Sequence, residues 1–123
     1  MKKSIILTVL LAGLMSFGSL YSQTANSRTN PVTSREATVV ANLYAKCVSV
    51  ADRIYLTATI NHLTILLGDR EITITQYVET LELINYNINN KAHTIAQLSK
   101  ALANYYVSLV KEGRREVLVN INQ

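Results

Sequence analysis

Several residue types that build chemical sites are scarce in this chain of 123 residues, which has one cysteine, one proline, four glycines and no tryptophan. A single cysteine excludes an internal disulfide, and one cysteine with two histidines excludes a multi-cysteine zinc module. Only Gly68 and Gly113 lie beyond the first 22 residues, so no glycine-rich phosphate loop can form. The length allows one domain with one small core.

Charge and motifs exclude further classes of function. The whole chain has a net charge of +4, but removing Lys2 and Lys3 leaves 10 Lys and Arg against 8 Asp and Glu, a net +2. So small an excess does not predict a nucleic-acid binder. The carboxylates are few, and no nucleophile, P-loop or dinucleotide motif occurs. We therefore expect no enzyme activity, no cofactor and no metal site.

The N-terminal residues are typical of an export signal. Lys2 and Lys3 precede an apolar run from Ile5 to Met15, and small and polar residues follow. This pattern predicts a signal peptide over residues 1–22, with cleavage leaving a mature N-terminus between residues 19 and 23. A retained anchor is the alternative, but the apolar stretch is shorter than the roughly 20 residues that span a bilayer. We expect an exported protein, periplasmic or associated with the cell envelope, with no stable membrane span after cleavage.

Helix-boundary signals organise the mature chain. Thr33 to Glu36 and Thr73 to Gln76 match the capping box, and Gly68 and Gly113 stand where helices end. No glycine or proline interrupts the segments between these signals. The sequence thus predicts an all-α fold, a long antiparallel helical hairpin resembling a coiled coil. Its parts would be a flexible leader, a helix, a turn, a second helix, and a tail that is extended or a short strand, over residues 23–32, 33–67, 68–73, 74–112 and 114–123.

Apolar spacing predicts which faces of the two helices meet. In the second helix a 3-4 spacing runs from Ile74 to Leu109 and only Lys91 interrupts it; the first helix carries Val40, Leu43, Cys47, Val50 and Ile54 at the same spacing. We expect this seam to be the core, with Cys47 buried as a small apolar residue and Lys91 fixing the register. His93 should then face outward, and both histidines should be surface residues. Four asparagines, Asn85, Asn87, Asn89 and Asn90, indicate a kink or a polar patch.

A second set of apolar residues lies away from that seam and cannot be buried by the hairpin alone. Leaving a large apolar side chain exposed costs about 1.5–3 kcal/mol. We therefore expect these residues to form a surface for a protein partner or a homodimer. They are Leu56, Ile60, Leu63 and Leu67 on the first helix, and Leu83 and Tyr86 on the second.

These expectations combine into one functional hypothesis and one alternative. The hypothesis is an exported, non-enzymatic helical protein that acts through protein–protein interaction, an architecture that suits a secretion or conjugation component or an adaptor. The alternative is a small-ligand-binding bundle, in which two dimerised hairpins enclose a pocket lined by tyrosines.

Overall fold

The computed structural model describes residues 31–121, with side chains from Ser34 onward, and the residues from Arg35 belong to one compact unit. The predicted signal peptide and most of the leader lie outside the described residues. The described part contains α-helices and one 3-10 turn but no strand, which confirms the all-α class. The α-helices are α1 (Pro31–Ala45), α2 (Val50–Gly68), α3 (Ile74–Asn89) and α4 (Lys100–Lys111), and the 3-10 turn is Ile95–Gln97.

The prediction of one continuous helix over 33–67 is wrong, because the chain breaks between α1 and α2. Ser49 is the N-cap of α2: its hydroxyl accepts from the Asp52 amide at 3.1 Å. The Asp52 carboxylate in turn accepts from the Ser49 amide at 3.4 Å, and also from the Val48 amide at 2.9 Å. This is a capping box of the Ser-x-x-Asp type, and it starts a new helix where apolar spacing alone predicts continuation. Thr33, the predicted N-cap, lies inside α1.

The single helix predicted over 74–112 is also wrong, since α3 ends at Asn89. Lys91 lies in the connection after α3, where its backbone is left-handed with φ of 61°. Its side chain is exposed and does not lie in a buried seam. The 3-10 turn follows, and Ser99 then caps α4 by accepting from the Leu102 amide at 3.1 Å. The asparagine-rich end of α3 is poor in helix-stabilising residues, and the serine supplies the next start. A coiled coil is not confirmed.

The connection between α2 and α3 agrees closely with the predicted turn. Residues 69–73 join the two helices, and Thr73 forms the expected capping box with Gln76. The left-handed residue is not Gly68, which remains the last residue of α2, but Arg70 with φ of 63°. Two consecutive helices joined by so short a loop, and in contact, form a helical hairpin.

The core lies around α3, which packs most extensively on α4 and also contacts α2. α1 is held to α3 by an ion pair from Arg35 to Glu82, and Lys46, the residue after α1, donates from Nζ to Asn85 Oδ1 at 2.8 Å. Apolar side chains from all four helices are fully buried; the largest are Leu43, Leu56, Leu63, Leu81, Leu83, Ile84 and Tyr106. Burial of these side chains stabilises the fold by about 1.5–3 kcal/mol each.

The C-terminal tail is extended, and no strand forms in its described part. Gly113, with φ of 84°, ends α4 and turns the chain back along α3. The Arg115 guanidinium pairs with the Glu79 carboxylate at 2.9 Å. Further along, Val119 is buried while its neighbour Leu118 is exposed, as alternation in an extended chain requires. The tail therefore completes the core.

Candidate interaction surface

The structure places the predicted interaction residues in or near the core. Leu56, Leu63 and Leu83 are buried to within 1% of full burial. Ile60, Leu67 and Tyr86 are half-buried. The interpretation of these six side chains as an exposed surface is wrong for the three leucines, which no partner can reach in the folded unit.

The predicted assignment of the two faces of α2 is reversed in the structure, and the break before α2 explains why. The predicted seam requires one helix running from Val40 through Ile54. Because the chain leaves helical geometry over residues 46–49, the apolar spacing of α1 does not carry its rotational phase into α2. The face with Leu56, Thr59 and Leu63 turns inward.

The opposite face of α2 is apolar and exposed. Val50 is 74%, Ile54 62% and Ile65 60% exposed, and Ala58 and Asn61 between them are also exposed. At 100° per residue these positions fall within about 80° of the helix circumference. We call Val50, Ile54, Ala58, Asn61 and Ile65 the outer stripe. From Ile54 to Gly68 α2 contains no Asp, Glu, Lys or Arg, so no charge interrupts the stripe between Ile54 and Ile65.

Polar contacts on both flanks fix the rotation of α2 that exposes this stripe. The Tyr44 hydroxyl lies 2.6 Å from the Thr57 hydroxyl, which joins α2 to α1. His62 Nε2 lies 2.7 Å from Asn104 Oδ1 on α4; since that oxygen only accepts, the histidine donates. With Leu56 and Leu63 in the core, these contacts leave the outer stripe facing away from the rest of the described unit.

No family model, curated protein or solved structure matches this chain. The outer stripe is therefore defined by the geometry of this chain alone.

The described residues include one thiol, that of Cys47, and no cluster of potential metal ligands. Cys47 is half-buried in the connection between α1 and α2, where burial raises the pKa of its thiol and so disfavours the nucleophilic thiolate. No group of three His, Cys, Asp or Glu side chains able to hold a metal ion occurs among the described residues. None of the described helices is long and apolar enough to cross a membrane.

His93 is the residue whose predicted position differs most clearly from the structure. The apolar spacing predicts an outward-facing side chain, yet it is buried in the connection between α3 and α4. The Tyr106 hydroxyl lies 3.2 Å from its Nδ1 and 3.1 Å from its Nε2. Burial lowers the pKa of His93 and raises that of Tyr106, so both are neutral near pH 7. They form a buried polar pair.

An open hollow of about 410 Å³ lies between α4 and the tail. Leu102, Tyr105 and Ile121 are among its lining residues. Tyr105 is the one tyrosine in this lining, and the hollow opens widely to the surface. The tyrosine-lined pocket of the alternative hypothesis would need two copies of the chain, and it stays a prediction.

Proposed function

We propose that this is an exported, non-enzymatic helical protein whose work is to bind another protein through the outer stripe of α2. The observation that carries the proposal is the exposure of Val50, Ile54 and Ile65 in register on one uncharged face. Single exposed apolar residues are ordinary, whereas a contiguous row on a helix marks an interaction site.

Burying the outer stripe against a partner would supply enough free energy to support binding. Covering each large apolar side chain is worth about 1.5–3 kcal/mol when it is fully buried. Three such residues therefore offer several kcal/mol, comparable with the whole stability margin of a small domain. Leaving these side chains in water is unfavourable in free energy, which favours a binding role for the outer stripe.

The predicted export signal and the lack of known catalytic motifs in the sequence support the wider part of the proposal. A small exported domain with an adhesive helix suits an adaptor or a component of envelope machinery such as secretion or conjugation. This assignment rests on the sequence of residues 1–22 and on the architecture, and the partner is defined by its chemistry, an apolar protein surface.

Position-specific photo-crosslinking in cells tests the proposal. A photoreactive amino acid is placed at Ile54, in the outer stripe, and in a matched variant at Leu118, which is 53% exposed but lies on the tail. We expect protein adducts in the envelope fraction from position 54 and few from position 118. Equal labelling at both positions, or none at either, would contradict a dedicated surface on α2.

A further inference from the structure

The part of the outer stripe from Ile54 to Ile65 has a spacing that reads the same in both directions. Ile54, Ala58, Asn61 and Ile65 are separated by four, three and four residues. Two large apolar residues stand at the ends and two smaller residues in the middle. A second helix running antiparallel presents the same order, so Ile54 of one copy lies level with Ile65 of the other, and Ala58 with Asn61. Small central residues allow two helices to approach closely.

Asn61 can fix the register of this antiparallel helix pair. It is exposed, and no hydrogen bond of its side chain is found to any described residue. In the antiparallel pairing, the two Asn61 residues are offset by three positions, about 4.5 Å along the axis. A carboxamide carries both a donor and an acceptor, so two copies can bond reciprocally across a two-fold axis. A single polar asparagine in an apolar helix contact is a known device for fixing register.

Charge and area are compatible with self-association. The part of the stripe from Ile54 to Ile65 has no charged residue and so sets no like charges opposite each other, although each mature chain carries a net positive charge. The exposed large side chains at this edge are Val48, Val50, Ile54, Tyr55 and Ile65. At roughly 100 Å² each, they offer on the order of 1,000 Å² for two copies together. That is near the lower limit for a specific interface.

We infer that the outer stripe docks on the outer stripe of a second copy of this chain, antiparallel about a two-fold axis near residues 59 and 60. The inference rests on the proposed function and names its partner. The contact is isologous, so the same residues serve both copies and the assembly closes as a dimer.

Sedimentation of the mature chain, residues 23–123, tests this inference with Asn61→Asp. The variant sets two carboxylates across the two-fold axis, where burying unpaired charge is unfavourable. We expect a dimer for the unchanged chain and a dissociation constant at least tenfold weaker for Asn61→Asp. Asn42→Asp is the matched control: it makes the same charge change on an exposed position of α1 and should leave the dimer intact. Unchanged helical dichroism shows that both variants fold.

Disulfide trapping tests the orientation. In a Cys47→Ser background, Ile54→Cys and Ile65→Cys chains are oxidised separately and as a mixture. Antiparallel pairing predicts a disulfide between the two variants in the mixture. It predicts little dimer from Ile54→Cys alone, because the substituted positions of the two copies would be about 16 Å apart along the axis. Disulfides within each variant but not between them would overturn the antiparallel arrangement.

The outcomes separate this inference from the proposed function. A chain that stays monomeric while position 54 crosslinks a different protein overturns the second copy as partner and keeps the outer stripe as a binding surface. A monomeric chain with no crosslink specific to position 54 overturns both. A dimer that is equally stable in Asn61→Asp and Asn42→Asp overturns the register proposed here.

Discussion

At the scale of single residues, Asn87 is the side chain on which the tail depends. It is fully buried on α3. Its Nδ2 donates to the carbonyls of Leu83 at 2.9 Å and Val117 at 3.0 Å, and its Oδ1 accepts from the Val119 amide at 2.6 Å. One carboxamide thus satisfies a main-chain acceptor and a main-chain donor two residues apart, as a neighbouring strand would. This explains how an extended segment is held without a sheet.

Replacing Asn87 with Ala should therefore loosen the tail as well as destabilise the fold. Val117 and Val119 would lose their partners, and a buried unsatisfied polar group costs about 1–3 kcal/mol. We expect urea unfolding to show a loss of that order, and hydrogen exchange of the Val119 amide to accelerate. Asn89→Ala, at an exposed position on the same helix, is the control and should change stability by less than about 0.5 kcal/mol. A Val119 amide that remains as protected in Asn87→Ala would contradict the clamp.

His93 predicts an acid sensitivity. Burial lowers its pKa in the folded state, whereas the unfolded chain takes up the proton near pH 6.5. Below that pH the unfolded state binds more protons, so stability should be constant above about pH 7 and fall as the pH decreases through 6 toward the folded pKa. The slope can reach about 1.4 kcal/mol per pH unit.

Urea unfolding between pH 8 and pH 5 measures this effect. His93→Gln should make stability nearly flat over that range, because the buried titrating group is gone. His62→Gln should retain the decline, because this variant keeps the buried His93. An unchanged decline in His93→Gln would assign the effect to other groups.

At the scale of helices, the two glycines of the described unit have opposite roles. Gly113 has φ of 84° and ends α4, whereas Gly68 is the last residue of α2 and does not have a positive φ. A Cβ at either position would meet no atom within 4 Å, so only backbone preference matters. We expect Gly113→Ala to destabilise by about 1–2 kcal/mol. Gly68→Ala should stabilise by roughly 0.5–1 kcal/mol.

Thermal unfolding of these two alanine variants provides the comparison. Both variants make the same substitution, so opposite shifts of the melting temperature can be assigned to the different backbone conformations at the two positions. Shifts of the same sign would mean that the ends of α2 and α4 are not held as described.

Helix ends were predictable from the sequence where two signals coincide. The Thr73 capping box and Gly113 mark real boundaries, and the all-α class follows from the long segments free of glycine and proline. The breaks between α1 and α2 and between α3 and α4 are not predicted, because the apolar spacing continues across them. Yet Ser49 with Asp52 is a capping box, and Thr94 to Gln97 repeats the Thr-x-x-Gln pattern of Thr73 to Gln76.

Leu98 shows what such a missed break changes. Within an unbroken helix, a proline at this position would cost about 3 kcal/mol or more. In the structure Leu98 has φ of −67° and ψ of 143°, an extended conformation that proline can adopt. Its amide still donates to Ile95 and its side chain is buried, so any loss in Leu98→Pro would come from this bond and from packing.

At the scale of the whole molecule, the candidate surface could be predicted only in part. The sequence shows that α2 is apolar on two opposite faces, and one fold cannot bury both. Which face is inward depends on the rotation of α2, and that is set by long-range contacts such as Tyr44 with Thr57 and His62 with Asn104. Neither pair is recognisable from local spacing. The sequence therefore predicts that one apolar face of α2 stays exposed, whereas the packing determines which face it is.

Export is the prediction that determines where this surface acts. The first 22 residues, outside the described part of the structure, have a cationic start, an apolar run and small residues. If they are a signal peptide, the purified envelope protein should begin between residues 19 and 23. N-terminal sequencing and intact mass measure this directly. Leu10→Arg with Leu11→Arg would place two charges in the apolar run and should leave an unprocessed chain, because insertion into the membrane strongly disfavours arginine. Thr75→Arg with Ala101→Arg, at exposed positions far from the predicted cleavage site, adds the same charge and should be processed normally. A protein that retains Met1 would contradict cleavage, and recovery of that uncleaved protein outside the envelope fraction would also overturn export and place the outer stripe in a different compartment.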